Sequence, residues 1–232
     1  MKKYLYLLSA VFSLSFFAQA HAVDITQDTE DPLFIEKLGD STSRTSLDVG
    51  NFFQARELFT YGFSDKFSVS ADIRYRDSTE NNTDGFSNVG VLGKLRAGSN
   101  DTGATDLLFG FGYGGQGVVP NYTDRVYSFG VRTGRQWSGM TAAITAMTNW
   151  FFEDNDGIAY IDLTPELYFR TQGNWSLGLG ATFRKSTTNI FDQEWANVKL
   201  GSIIGYTAWF INFGYEFESH DSRVGGSVTM LF

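Results

Sequence analysis

The sequence predicts an all-β chain that closes into an antiparallel transmembrane β-barrel of about twelve strands, and three observations carry that expectation. First, apolar and polar residues alternate with a period of two, as in Phe67-Ser68-Val69-Ser70-Ala71-Asp72-Ile73-Arg74-Tyr75-Arg76. Second, beyond the first 22 residues no run approaches the ~20 consecutive apolar residues that a membrane-crossing helix requires. Third, mean hydropathy is slightly negative at −0.18, yet aromatic residues make up 16% of the chain. A wall that is oily outside, wet inside and ringed by aromatics at both interfaces produces that combination.

The alternation places strands near 43–53, 55–63, 67–76, 86–97, 104–114, 124–136, 140–151, 158–170, 174–185, 194–205, 207–218 and 222–232. Each is close to the ~9–11 residues that a tilted strand needs to cross a bilayer. The run from Trp209 to Glu218 carries one aromatic, Phe210, on its polar side. Ser64-Asp65-Lys66, Ser138-Gly139, Gln172-Gly173 and Tyr206-Thr207 are tight links, whereas 77–85, 115–123, 153–157 and 186–193 are longer and polar. The pattern predicts short periplasmic turns, longer extracellular loops, and both ends of the barrel on the periplasmic side. The link 98–103 is too long for that rule. Pro165 falls inside the eighth strand, and a closed barrel has no free edge to hide its missing N–H, so a bulge or break is expected there.

At the N-terminus, Met1-Lys2-Lys3, an apolar stretch to Phe17 and Ala20-His21-Ala22 read as a signal peptide over 1–22, cleaved after Ala22. Residues 23–42 then form an N-terminal periplasmic segment and 43–232 the barrel. Within the segment, Asp31-Pro32-Leu33-Phe34-Ile35-Glu36-Lys37-Leu38-Gly39 has helix-like apolar spacing and a glycine stop. A short helix at the mouth, a plug inside the lumen and a disordered tail are the three expectations for it. The chain has no cysteine, so an exported fold must be held by something other than disulfides.

The last residues, Val224-Gly225-Gly226-Ser227-Val228-Thr229-Met230-Leu231-Phe232, alternate again and end on an aromatic. This resembles the terminal strand of bacterial outer-membrane proteins. The resemblance implies a Gram-negative outer membrane, outer-membrane lipid as surroundings, and Phe232 as the end of a signal read by the barrel-assembly machinery. Leu58-Phe59-Thr60-Tyr61-Gly62-Phe63-Ser64-Asp65-Lys66-Phe67-Ser68-Val69 is similar to the YG-x-[ST]-D-[KR]-hydrophobic hairpin of outer-membrane transporters associated with the meta-pathway of phenol degradation. That resemblance covers only this hairpin and the strand rhythm.

Strand parity assigns the two faces. The outward set includes Val69, Ile73, Leu107, Phe109, Phe111, Ile161, Leu163, Leu177, Leu179, Ile211, Phe213, Val228 and Met230. Trp137, Phe169, Trp175, Trp209 and Phe232 are expected in a periplasmic girdle, and Tyr113, Trp150, Phe151, Phe183, Trp195 and Phe217 in an extracellular one. The lumen-lining set comprises Asp72, Arg74, Arg76, Lys94, Arg96, Arg132, Asp162, Glu166, Arg170, Arg184, Lys199, Glu216, Glu218 and Arg223. Basic residues outnumber acidic ones there, although the whole chain carries a formal charge of −8. An open pore with that lining favours anions. Cross-strand pairing of the same charges, for example Glu166 or Glu216 with nearby arginines, is the competing expectation. Inward glycines at 90, 110, 112, 114, 130, 178, 180, 201, 214 and 225 leave interior space or ease strand curvature.

Other motifs lose to context. Gly110-Phe111-Gly112-Tyr113-Gly114-Gly115 spells a dinucleotide fingerprint but lies inside a strand with no helix after it. Ser219-His220-Asp221 holds the only histidine beyond the first 22 residues, and sequence neighbours on a tight loop seldom align as a triad. One histidine and no cysteine give no transition-metal site; the acidic loops 77–84 and 153–157 could touch calcium, but the second is too short for a twelve-residue calcium loop and solvated surface is the default reading, so no metal or other cofactor is expected. The acidic balance offers nothing to nucleic acid. The expected function is a porin-like outer-membrane channel for passive passage of small solutes, not an enzyme. The alternatives are a non-conducting barrel for adhesion, structure or partner recognition, and a lipid-modifying enzyme.

Overall fold

The computed structural model describes residues 29–50, 52–78, 83–100, 102–113, 125–137, 139–153, 156–171, 174–187, 192–217 and 219–232. The expected signal peptide, Gly114 and Glu218 lie outside them. Twelve strands are present: β1 (Ser41–Val49), β2 (Phe52–Ser64), β3 (Phe67–Ser78), β4 (Thr83–Asn100), β5 (Gly103–Tyr113), β6 (Arg125–Trp137), β7 (Met140–Glu153), β8 (Asp156–Arg170), β9 (Trp175–Ser186), β10 (Gln193–Ile204), β11 (Thr207–Glu216) and β12 (Ser222–Leu231). Each pairs antiparallel with its sequence neighbour, and β1 pairs with β12 from Thr42↔Leu231 to Val49↔Val224, which closes the cylinder. Closure gives every strand two partners. An open sheet would leave two rows of backbone groups unpaired, at several kcal/mol per group in hydrocarbon.

The strand limits differ from the expected ones where the local sequence lacks alternation. The first strand ends at Val49 instead of 53, and Gly50 donates to Phe52 O (3.0 Å) in a turn that starts β2 early. The overlong link 98–103 has a simple resolution. A register shift between Arg96 and Gly98 absorbs one residue, and pairing then continues through Asn100↔Gly103, so the turn is as short as its neighbours. Gly205, at φ +61°, sits in the equally tight β10–β11 turn, in a backbone region that residues with a Cβ enter at a cost.

At Pro165 the β7 ladder is unbroken through Ile144↔Pro165, while pairing to β9 lapses at Thr164 and Pro165 and resumes at Glu166↔Gly180 in unchanged register. It is a local break without a bulge. The Thr164 and Thr182 hydroxyls share a hydrogen bond of 3.1 Å across the gap.

The outer wall is apolar and aromatic. Phe109, Phe111, Phe129, Ile161, Leu163, Ile211 and Phe213 are exposed on it. Phe109 lies over the backbone of Gly93 on β4, covering a strand position that has no side chain of its own. At the short-turn end Trp175 and Trp209 meet edge to face at 5.5 Å, with Ser202 between them in the ladder. Tyr113, Trp150 and Phe183 are exposed toward the long-loop end.

Candidate functional site

The lumen is built by parity. On β3, Ser68, Ser70, Asp72, Arg74 and Arg76 alternate with Phe67, Val69, Ala71, Ile73 and Tyr75, so one face receives every ionisable group. The same rule puts Lys94 and Arg96, Arg132, Asp162, Glu166 and Arg170, Arg184, Lys199, Glu216 and Arg223 at inner-wall positions of β4, β6, β8, β9, β10, β11 and β12. Among the described residues four further charged side chains share the inner face: Arg44 and Asp48 on β1, Arg56 on β2 and Asp106 on β5. The first two are hidden in the sequence because β1, Ser-Thr-Ser-Arg-Thr-Ser-Leu-Asp-Val, has hydroxyls on both faces and hence no visible alternation.

Most of these charges are paired. Asp72, with 0% of its surface exposed, accepts from Arg56 Nε (2.7 Å), Arg74 Nη2 (2.8 Å) and Asn88 Nδ2 (3.3 Å). Asp106, equally buried, accepts Arg96 Nε and Nη2 at 2.7 and 3.1 Å. Arg184 forks onto Asp162 at 2.7 and 2.8 Å. Such bidentate contacts are strong and fix cross-strand register as well as charge. The pairs expected for Glu166 and Glu216 do not form. Glu216 accepts Ser219 Oγ instead (2.8 Å).

The second feature is the chain before β1. Residues 29–40 are turns and irregular backbone, with no helix. They cross the short-turn mouth of the lumen, bonded to the wall all round. Glu30 meets Arg44 and Thr229, Asp31 accepts Thr141 Oγ1 and Arg170 Nη2 (both 2.6 Å), and Glu36 accepts Thr42 Oγ1 (3.1 Å) with Lys94 Nζ at 3.5 Å. Backbone carbonyls of Pro32, Leu33 and Phe34 receive Arg132, Arg96 and Lys94. Above this segment a cavity of about 330 Å³ remains, lined among others by Arg44, Arg56, Lys94, Arg132, Glu166 and Lys199. Phe210, the aromatic on the polar side of its strand, is 2% exposed and packs with Tyr168 and Ala208.

The third feature lies at the long-loop end of the inner wall. Arg76 stacks on Phe52 at 3.6 Å, and Arg223 stacks on Trp195 at 3.5 Å and lies 5.5 Å from the Phe52 ring. Trp195 therefore points inward, opposite Glu216 in the ladder, and not into the extracellular girdle expected for it. Phe151 also turns inward, stacked on Tyr160 at 5.3 Å, which in turn carries Arg184 at 3.9 Å. Both lie near strand ends, where girdle aromatics belong, but parity decides which face they take. Each residue shares the parity of the polar ones on its strand.

No protein-family model matches the chain, and no curated protein matches it by sequence. Solved structures do match. The KdgM porin superposes with a TM-score of 0.65 at 13% identity, over 82% of this chain and 98% of that one. The fold is that of outer-membrane porins. The NanC porin gives 0.65 at 9% identity with the same coverage, and an outer-membrane channel from Pseudomonas putida F1 gives 0.60 at 9% identity over 91% of this chain and 100% of that chain. A further structure of the first porin was determined in complex with disordered oligogalacturonate. In this porin-type barrel, Ser219 bonds Glu216 and His220 Nδ1 faces Tyr215 Oη (3.1 Å), so the serine–histidine pair of the loop is not arranged as nucleophile and base.

Proposed function

We propose that the protein is an outer-membrane channel that lets small solutes, anions preferentially, diffuse down their gradient, and that it reaches that membrane with its signal peptide removed after Ala22. The carrying observation is the lining of the lumen. Arg76, Lys199 and Arg223 have no ion-pair partner among the described residues, and Arg132 is held by a hydroxyl and a carbonyl instead of a carboxylate. Asp48, Glu166 and Glu216 are likewise outside any ion pair among the described residues, which leaves four unpaired inner-wall cations against three carboxylates. Water-filled space between a low-dielectric wall and fixed cations concentrates anions and repels cations. The oligogalacturonate complex of the fold relative lends support, since that ligand is a polyanion.

Single-channel recording in planar bilayers under a salt gradient tests this reading. An anion-selective reversal potential is expected, reduced in Lys199→Glu. Cation preference in the unmodified protein rejects it.

The N-terminal segment supports a second state. Its bonds to Arg44, Lys94, Arg96, Arg132 and Arg170 hold backbone across the mouth, so conductance depends on whether residues 29–40 stay docked. A barrel silent with the segment and conducting without it is a gated channel. One silent in both forms is a non-conducting barrel.

A further inference from the structure

We propose that Arg76, Phe52, Arg223 and Trp195 form a binding station for a single planar organic carboxylate at the long-loop mouth of the lumen. The inference deepens the channel reading and rests on it for the route by which the solute arrives, but the site itself stands on geometry.

The four side chains run along the inner wall as an alternating series of guanidinium and ring: Arg76 on Phe52 at 3.6 Å, Arg223 beyond it at 5.5 Å, and Trp195 under Arg223 at 3.5 Å. They come from β3, β2, β12 and β10, so the series spans a broad arc of the wall. Gly214 on β11 lies between Trp195 and Arg223, and a Cβ there would meet the indole at 3.8 Å, so the indole rests over the strand that separates its own from that of Arg223.

Two properties separate this arc from the opposite one. Arg184 on Tyr160 has the same stacked form, but Asp162 takes both ends of its guanidinium fork. Among the described residues Arg76 and Arg223 have no such partner, and Arg76 Nε is buried without one. The carboxylates that act on Arg223 are Asp48, Glu216 and Asp221, none within ion-pair distance of it. Asp48 lies instead against Gly225. Both guanidinium carbons lie within 5.5 Å of the Phe52 ring centroid, and a single carboxylate accepting charge-assisted bonds of about 2.8 Å from each is the proposed bridge.

The ligand class follows from what is left exposed. The arc offers a solute the planes and edges of guanidiniums already stacked on rings. A guanidinium plane is flat and weakly hydrated, and it stacks on flat π systems far better than on puckered rings. A planar carboxylate gains the bridge and the stack. A puckered carboxylate gains only the bridge, and a neutral planar solute only the stack.

The test uses fluorine NMR line broadening of 4-fluorobenzoate with the detergent-folded protein, at constant ionic strength. Saturable binding is expected, weakened about tenfold or more in Arg76→Gln and in Arg223→Gln, and unchanged in Lys185→Gln, an exposed cation on the outer side. Folding of each variant is checked by heat-modifiable gel migration. 4-Fluorobenzamide and 4-fluorocyclohexanecarboxylate are expected to bind more weakly, and sulfate to compete poorly. Absence of saturable binding overturns the proposal, as does binding by both arginine variants as tight as that of the unmodified protein, or by the benzamide as tight as that of the benzoate. A protein that binds but does not conduct keeps the site and loses the channel reading. One that conducts but does not bind loses the site alone.

Discussion

The backbone carbonyl of Lys37 lies against Gly62 of β2, so close that a Cβ at that glycine would overlap the oxygen. Gly39 N donates to Gly62 O (3.0 Å) and Gly62 N donates to Asp40 O (2.9 Å), while Leu38 N reaches Asp65 Oδ1 at 3.4 Å. The Tyr-Gly-x-Ser-Asp-Lys hairpin is thus the place where the N-terminal segment turns into the barrel mouth. Gly62→Ala forces an oxygen out of van der Waals contact, and overpacking of this kind costs about 1–3 kcal/mol. That shifts a docked–undocked equilibrium by about five- to 150-fold. Longer open times are expected in single-channel records, matching those of a variant lacking residues 29–38. A Gly62→Ala channel indistinguishable from the unmodified one contradicts the role given to this contact.

The interior ion pairs hold the barrel unequally. Asp72 and Asp106 are fully buried acceptors, each with an arginine fork on it. Asp106→Ala leaves Arg96, whose side chain is 15% exposed, without its carboxylate, and breaking an ion pair with a buried member usually costs about 3–5 kcal/mol. Urea unfolding of the folded barrel in detergent, followed by tryptophan fluorescence, is expected to show a loss of that size. The Lys185–Asp192 pair lies in the open, with Lys185 73% exposed, and Asp192→Asn is expected to leave the transition where it was.

One polar cluster faces outward. Glu57 stands on the outer wall between Thr45 of β1 and Ile73 of β3, and its two oxygens accept Thr45 Oγ1 and Ser43 Oγ, both at 2.6 Å. Phe59 and Ile73 beside it are exposed to the surroundings of the barrel. Removing the acceptor alone strands two hydroxyls in an apolar setting, at about 1–3 kcal/mol. Replacing all three groups removes the demand. Glu57→Leu is therefore expected to lower unfolding stability, and the combination Ser43→Ala, Thr45→Val, Glu57→Leu to regain most of it. A triple variant no better than the single one argues that Glu57 acts through something other than these hydroxyls.

The strands were legible in the sequence because burial and exposure alternate with the pleat on a wall one sheet thick. Their faces were legible wherever parity was unbroken, as along β3 and β9. Three things were not. The irregular β1 hid Arg44 and Asp48. The register shift between Arg96 and Gly98 made a tight turn look long. The identity of each ion pair depends on which residues face each other across a ladder, which turn geometry decides and composition does not. The outer bonds of Glu57 share that limit. The segment 29–40 showed helical spacing, but its acidic residues and carbonyls bond to cations on β1, β4, β6 and β8, and those contacts hold it in turns.

Pro165 marks a position where the barrel holds less than its full ladder. In an antiparallel strand the N–H and C=O of one residue point to the same neighbour, and here that neighbour is β9, where pairing lapses. The unchanged register on either side shows that nothing else in the ladder has moved to accommodate the ring. A residue with an N–H can therefore restore the bond without rebuilding the strand. Pro165→Thr, outward-facing and β-branched, is expected to stabilise the barrel by about 0.5–1.5 kcal/mol, less the entropy that proline removed from the unfolded chain. Amide exchange at residue 165 distinguishes the cause. A protected amide with raised stability confirms the missing bond, and an unprotected one shows that β9 stands too far off to accept it.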